Sequence, residues 1–515
     1  MLIGDMIVFN ARRYGNKTAF KDERTEVSFK QVNQRANSVI HALLEMGLKK
    51  GDHIATLLYN CVEYAELIYA LPKAGFVMVP LNYRLVAKEL LYLLENSEAS
   101  ALIYDSELAE TVGEIRPKLD GVKHYILIDH KRDFKAEAHR YEDIIKNYPT
   151  TEISVPVQED DVAYIFYTSG TTGRPKGAML THKNIITNLF NMLFELQPNP
   201  GDKILNVPPM YHCAGQNQSM TYFFYGCTTL TVKQFDPQLV LQTISKQKPN
   251  VLSLVPAMLN MTLNYPEIDK YDFKFVTRML YGAAPIMRTQ LEWCMHVFSC
   301  DFIQIAGQTE AAPGLTVLRP EDHILNGPEE ITSRLGSAGR EFKLTHVKIV
   351  DLDGHEVPPN EPGEEIARGD NIMKGYWKMP EATRDTIVDG WLHTGDICIK
   401  DKHGFVYYKD RMKDMICRGG ENVYSREIEE VISTHEAVLE VAVIGTPDER
   451  LGEEILAVVV EKSGQKASER EIRDLCQKNM ARFKHPRYIK FAKELPKNPS
   501  GKILKRELRK VYAVE

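Results

Sequence analysis

The chain is poor in several things, and each shortage closes off a class of protein. Its 515 residues hold eight cysteines and no Cys-x-x-Cys pair, which excludes a disulfide scaffold and supplies no spacing for a structural zinc site. Cys61, Cys213, Cys227, Cys294, Cys300, Cys398, Cys417 and Cys476 are scattered, as reduced cysteines of a cytosolic protein are. No apolar run reaches the roughly 18 residues that a membrane-spanning helix needs. The net charge of -6 gives no general attraction for nucleic acid, so any anion site has to be built locally. There is no fixed-period repeat and no low-complexity segment. Met1 to Asn10 carries Asp5 inside its apolar stretch and lacks a small-residue cleavage site, which reads as an amphipathic first helix rather than a leader. Tyr512-Ala-Val-Glu515 matches no organelle address. The expectation is a cytoplasmic protein without a nucleic-acid partner. Peripheral membrane contact and homo-oligomers stay open.

What is present is a soluble composition, 43% hydrophobic and 26% charged, on a chain too long for one core. Phe29 to Leu44 has helical spacing, with Val32, Ala36, Val39 and Leu43 near one face. His53 to Leu58 then reads as a strand, Glu63 to Ala74 as a helix and Val77 to Pro80 as a strand. Ala101 to Tyr104, His124 to Ile128 and Thr228 to Val232 continue this α/β alternation to about residue 300. From about Leu344 short strands and turns take over, as in Val347 to Gly354 and Pro362 to Ala367. Beyond Asp410 the order helix, strand, strand, helix predicts a compact α+β domain, with a boundary near Arg411.

One segment carries most of the chemical information. Val162 to Tyr167 is apolar and short enough to be a buried strand, and Thr168-Ser-Gly-Thr-Thr-Gly-Arg-Pro-Lys-Gly177 follows it. Glycines accept the dihedrals by which backbone N–H groups close around phosphate oxygens. Ser169, Thr171 and Thr172 add neutral donors, and Lys176 adds a mobile positive charge. The spacing is not that of the common P-loop, because the lysine precedes the last glycine and Pro175 stiffens the turn. A flexible turn of small residues is the bland alternative; a loop for a nucleotide triphosphate fits the density of hydroxyls, glycines and cations.

Further motifs follow in order: Tyr281-Gly-Ala-Ala-Pro285, Gly307-Gln-Thr-Glu310, Trp391-Leu-His-Thr-Gly-Asp396, Asp410-Arg-Met-Lys-Asp-Met-Ile416, Gly419-Gly-Glu-Asn422 and Pro499-Ser-Gly-Lys502. Each alone is weak. As an ordered series over most of the chain they resemble the adenylate-forming superfamily of acyl-CoA synthetases, firefly luciferase and peptide-synthetase adenylation domains. The resemblance implies an α/β fold. A large N-terminal domain, residues 1–410, would hold two α/β subdomains to about 340 and a small β-barrel-like subdomain at about 341–410. A mobile α+β domain, 411–515, would follow, hinged near 411–413 with Lys413 at the hinge. It also implies an AMP-forming acid–thiol ligase that uses ATP, Mg²⁺ and coenzyme A.

Residue by residue, the resemblance gives Thr168, Ser169, Gly170, Thr171, Thr172, Gly173 and Lys176 to the phosphates. Gly282, Ala283 and Ala284 go to the adenine pocket, and Gly307 and Gln308 go to cofactor binding more broadly. Thr309 and Glu310 go to Mg²⁺. Asp396 would take the ribose hydroxyls, with Arg411 near the ribose or the phosphate, and Gly419 and Gly420 would let a pantetheine arm pass. Lys502 would bridge the attacking carboxylate and the α-phosphate, and His212, in Pro208-Pro-Met-Tyr-His212, would orient the acid. Catalysis would thus fall to Lys502, His212, Glu310 and Thr168. Each side chain also has a duller reading, as a hairpin corner, a helix-capping acid or a surface lysine. Arg482, Lys484 and Arg487 fit either the CoA phosphates or a solvated charged face.

Ala306 departs from the pattern. The residue before Gly-x-Thr-Glu is usually an aromatic that stacks on adenine, a contact worth about 1–3 kcal/mol. Gln216 to Gly226 and Met279 would line the acyl pocket. No acid stands in Tyr211 to Gln216 to receive an amino group, which favours a fatty or aromatic carboxylate over an amino acid, and a medium- to long-chain fatty acid is the leading expectation. Aryl or alicyclic acids, a carrier protein as acceptor, and a non-catalytic ATP-binding regulatory protein are the alternatives.

Overall fold

The computed structural model describes residues 1–129, 138–168, 175–284, 286–448, 450–497 and 503–512. Apolar runs too short for helices became buried strands. His53–Leu57 and Val77–Leu81 are buried at every position, as strands covered on both faces must be. They lie inside an eight-stranded sheet ordered Gly375–Tyr376, Lys176–Thr181, Val162–Thr168, Val77–Leu81, His53–Leu57, Ala99–Asp105, His124–Ile128, His139–Arg140. Neighbours run parallel from Val162–Thr168 onwards and antiparallel on its other side.

A second sheet of nine strands has a parallel interior that includes Val251–Ser253, Arg278–Gly282 and Asp301–Ala306. Thr316–Leu318 and Arg340–Glu341 extend it antiparallel. The helix Val62–Lys73 is buried at every residue up to Pro72, the mark of a helix enclosed on all sides. With Phe29–Glu45 and Cys213–Phe224 it fills one core between the sheets, where Phe20 of the second sheet meets Tyr69 and Phe223 of the helices, with Phe166 of the first sheet in the same core. No helix among the described residues is long and apolar enough to cross a membrane.

The β-rich segment is a five-stranded antiparallel sheet ordered His346–Val350, Pro362–Arg368, Trp391–Lys400, Ile387–Val388, with Val406–Arg411 branching off Trp391–Lys400. No pairing among the described residues closes it into a barrel: its ten-residue strand serves Ile387–Val388 with one end and Val406–Arg411 with the other. The C-terminal unit is an α+β sandwich around the hairpin Val438–Asp448 and Gly452–Glu461. Alternation sends Val441 and Val443 toward Ile428 and Ile472 of two helices, and Ala442 and Ile444 toward Leu508 of a third. The whole is therefore a large N-terminal domain of mixed sheets followed by a smaller α+β domain.

Candidate active site

The residues expected at the adenine stand where two parallel strands end together. Arg278–Gly282 and Asp301–Ala306 pair in register up to Gly282 opposite Ile305, and the carboxyl ends of such strands are where α/β sheets receive ligands. Both glycines are forced by crowding. A Cβ on Gly282 would sit 2.0 Å from the Ile305 carbonyl oxygen, and one on Gly307 would sit 2.1 Å from that of Pro313. Ala283 adopts φ +63°, a strained value for a residue with a side chain. Ala283 and Gly307 are exposed, and Ala284, Ala306, Gln308 and Thr309 are half-buried, at this rim.

The phosphate-loop strand forms a hairpin with Lys176–Thr181, Thr168 lying opposite Lys176. The Thr168 hydroxyl donates to the Lys176 carbonyl at 3.4 Å. Ser169, Gly170, Thr171, Thr172 and Gly173 lie outside the described residues. Lys176 sets its ammonium 4.8 Å from the centre of the Tyr376 ring, and the Tyr376 O–H donates to Glu310 Oε1 at 2.8 Å. Glu310, buried on the short helix Thr309–Ala311, also accepts the Met373 N–H on its carbonyl at 2.8 Å. Burial, then the Glu310 charge, push the Tyr376 phenol well up. The hairpin that carries the expected phosphate loop is thus tied to Glu310 by a tyrosine absent from the sequence-based expectations. No sequence signal pointed to it, because Tyr376 reaches this site only once its edge strand has paired with Lys176–Thr181.

His212 caps the start of Cys213–Phe224 in extended conformation. Asn60 pins the segment before it, donating to the carbonyls of Val207 and Pro208 and accepting the Met210 N–H at 2.8 Å. His212 Nε2 is sealed from solvent and has no partner among the described residues. Burial, with the Arg84 charge adding to it, pushes the imidazole down to about 4. The helix is unusually polar for a buried one: Gln216, Asn217, Gln218 and Ser219 are all buried. Asn217 accepts from Asn188 at 2.9 Å and Gln218 accepts from Ser253, whereas Gln216 Oε1 and Ser219 Oγ have no partner among the described residues.

Asp396 and Arg411 are cross-strand neighbours, joined by an ion pair of 2.5 Å with Asp396 buried. Lys413 is in the turn just beyond. Burial first, then Arg411, Arg509 and Arg506, pull its ammonium below the ordinary lysine value, against Asp414. Gly419 and Gly420 make the two-residue turn between Ile416–Arg418 and Glu421–Val423, with φ of +62° and +86°. Both positive values fit a type I′ turn, which explains the pair without any ligand.

The cations suggested for CoA do not form a free patch. Lys484 grips both oxygens of Glu427 at 2.7 and 2.8 Å, and Arg487 reaches Asp448 and Glu454. Arg482 is exposed, and no ion pair is formed by it among the described residues. Lys502 lies outside the described residues; on either side of it, Lys497 bridges to Ile503, and the Leu504 N–H donates to the Pro496 carbonyl at 2.8 Å.

Comparison with known proteins agrees with this architecture. The profile of the AMP-binding enzyme family matches residues 8–377, and that of the AMP-binding enzyme C-terminal domain matches residues 427–502. A feruloyl-CoA synthase of Amycolatopsis sp is 34% identical over 511 residues, covering 99% of both chains. The long-chain-fatty-acid–CoA ligase FadD13 of Mycobacterium tuberculosis is 35% identical over 500 residues, covering 96% of this chain and 95% of its own. Among solved structures, the anthranilate CoA ligase AuaEII in complex with anthranoyl-AMP superposes with a TM-score of 0.91 at 27% identity, covering 99% of this chain and 97% of that one. Strand ends that crowd out every side chain but glycine's, a hydroxyl-rich hairpin beside a buried glutamate, and full-length matches at both domains have one explanation: the chain belongs to the AMP-binding enzyme family and is an adenylate-forming acid–thiol ligase.

Proposed function

We propose that the protein is an ATP-dependent acyl-CoA synthetase for a medium- to long-chain fatty acid. An oxygen of the acid's carboxylate attacks the α-phosphorus of ATP, the bond to the β-phosphate oxygen breaks, and pyrophosphate leaves. The sulfur of CoA then attacks the acyl carbon, AMP leaves, and the thiol proton passes to solvent. The observation that carries the reading is the joining of Lys176 and Glu310 through Tyr376 at the mouth of the phosphate hairpin.

In this reading Thr168 and Lys176 meet the β- and γ-phosphates, with Ser169, Gly170, Thr171, Thr172 and Gly173. Thr309 and Glu310 hold Mg²⁺, which neutralises charge on the phosphates when bound. The residues fit such an ion, since the Tyr376 O–H donates to Glu310 Oε1 and an ionised carboxylate has further lone pairs with which to meet a cation. Gly282, Ala283, Ala284, Gly307 and Gln308 border the adenine, and Asp396 and Arg411 meet the ribose. Lys502 offsets the repulsion between two anions during attack. His212 orients the acid, Lys413 is the pivot, and Gly419 and Gly420 border the thiol path.

A second reading, an oxygenated aryl acid, is favoured by Gln216 Oε1 and Ser219 Oγ on the helix after His212, which have no partner among the described residues. Buried polar atoms without partners suit a substrate that brings its own hydroxyl or methoxyl. AMP release measured across saturated aliphatic acids and hydroxylated aryl acids, each with CoA and with a carrier protein, separates the cases. Turnover with aliphatic acids and free CoA is expected. Turnover confined to aryl acids would replace the fatty-acid assignment with the second reading, and transfer only to the carrier would remove CoA as acceptor.

A further inference from the structure

Asp396 stands on a kink. Glu364 pairs with Ile397 and Ile366 pairs with His393, so Thr394, Gly395 and Asp396 bulge out opposite the single residue Glu365. Bulges of this kind re-aim side chains beside functional sites. Glu364 and Glu365 hold this one from below. Glu364 Oε1 accepts the Gly395 N–H at 3.0 Å, and the Glu365 carbonyl accepts the Thr394 hydroxyl at 2.6 Å. The Thr394 hydroxyl oxygen in turn accepts the Asp396 N–H at 3.1 Å.

The Glu365 side chain itself is fully buried under the bulge. Tyr408 donates its O–H to Oε2 at 3.0 Å, and Oε1 has no partner among the described residues. An apolar residue would fill such a position without an orphaned oxygen, so the carboxyl needs an explanation. The groups that face it are Asp396, Cys398 and Lys400 of its neighbour strand, and Tyr408 and Arg411 of the next. Arg426 of the helix Ser425–Ser433 reaches Cys398 from the other side, and His393 is held by Glu364 at 2.8 Å. Burial first, then the Asp396 charge, push the Glu365 carboxyl up to about 8, against Tyr408, Arg411 and Lys400.

We propose that Glu365 is a positioning residue of the nucleotide site: as a neutral carboxyl it supports the Thr394–Asp396 bulge in the pose in which Asp396 meets the ribose, and its ionisation releases that pose. The inference rests on the assignment of Asp396 to the ribose. An ionised Glu365 would place a second buried negative charge beside Asp396 and compete with it for Arg411. Nucleotide binding therefore favours the protonated form, and by linkage the protein takes up a proton when it binds nucleotide on the alkaline side.

Isothermal titration of AMP into the full-length wild type, E365Q, Y408F and D396N, at pH values from about 6.5 to 9.5 and in buffers of different ionisation enthalpy, tests this. The wild-type Kd should be level to about pH 8 and then weaken toward about ten-fold per pH unit, with proton uptake on binding there. E365Q should lose the break, its Kd staying within about two-fold from end to end. Y408F removes a donor that favours the ionised form, so its break should move to higher pH. A wild type with no break and no proton uptake would overturn the proposal without any variant. So would an E365Q protein that keeps the break. D396N tells the two readings apart: wild-type AMP affinity in D396N sinks the ribose assignment and this inference with it, whereas weakened binding in D396N beside an unaltered break in E365Q sinks the inference alone.

Discussion

His212 is the residue whose chemistry the fold changes most. Packed against Tyr211 with Nε2 sealed and without a partner among the described residues, and held down to about 4, it is neutral at any ordinary working pH. It can therefore orient a carboxylate by donating an N–H, but not by carrying charge. Replacing it with alanine should raise the KM for the acid about ten-fold or more, the cost of a hydrogen bond to a charged group, with the KM for ATP nearly unmoved. Steady-state kinetics against pH check the assignment, and an acid limb near the usual histidine value that vanishes in H212A would contradict it. Asp396→Ala should weaken nucleotide binding by about ten- to a hundred-fold for a similar reason. His212 and Asp396 could be put forward from the sequence because they sit in an ordered series of motifs that resembles the adenylate-forming superfamily. Tyr376 and Glu365 could not. Their partnerships span 66 and 43 residues of sequence and exist only once distant strands have paired.

At the scale of the element, periodicity was a reliable guide to a helix with one buried face, and short apolar runs were a reliable guide to strands buried on both. The helix expected at Phe29 to Leu44 is Phe29–Glu45, and the strand expected at His124 to Ile128 is His124–Ile128. Periodicity says less about Cys213–Phe224, because this helix is enclosed and buries amides as readily as aromatics. The Gly419–Gly420 turn shows how one motif can serve two purposes. A Cβ on Gly420 would meet nothing within 4 Å, so the cost of Gly420→Ala is confined to its positive φ, about 1–2 kcal/mol of stability. If the turn also borders the thiol path, G420A should slow acyl-CoA formation more than acid-dependent pyrophosphate exchange. Equal effects on the two half-reactions would reduce the pair to a turn.

The whole molecule adds two couplings that no motif contains. The first crosses the segment after Val406–Arg411: Asp410 accepts the Ser425 N–H at 2.6 Å, and Arg509 of the last helix reaches Asp414 at 2.9 Å. A proline at Lys413 should stiffen this segment, leaving adenylation measurable and abolishing transfer to CoA. Parallel loss of both steps would argue against a pivot there. The second coupling is to protons. His182, His212 and His323 are each pushed down to about 4, chiefly by burial. His182 Nδ1 accepts the Ile3 N–H at 3.2 Å, and His323 Nε2 lies 2.9 Å from the Tyr281 hydroxyl. Unfolded histidines titrate near 6.5, so between about pH 6.5 and 4 the unfolded chain binds protons that the folded one refuses. Through these groups stability is intact above that window and lost as pH falls through it. Thermal melts should show Tm dropping from about pH 6.5 toward 4.5, and a level Tm would contradict the burial assigned to these rings.

The claim beneath all of this is that the chain couples ATP cleavage to an acid and then to a thiol. Its most direct test is the product balance in one vessel: AMP, pyrophosphate and acyl-CoA from the wild type and from Lys502→Ala, with the acid or CoA withheld in turn. Equal amounts of the three products, absent without the acid and cut by about two orders of magnitude or more in K502A, are the predicted result. ATP bound but never cleaved with any acid, or cleaved to ADP rather than AMP, would contradict it.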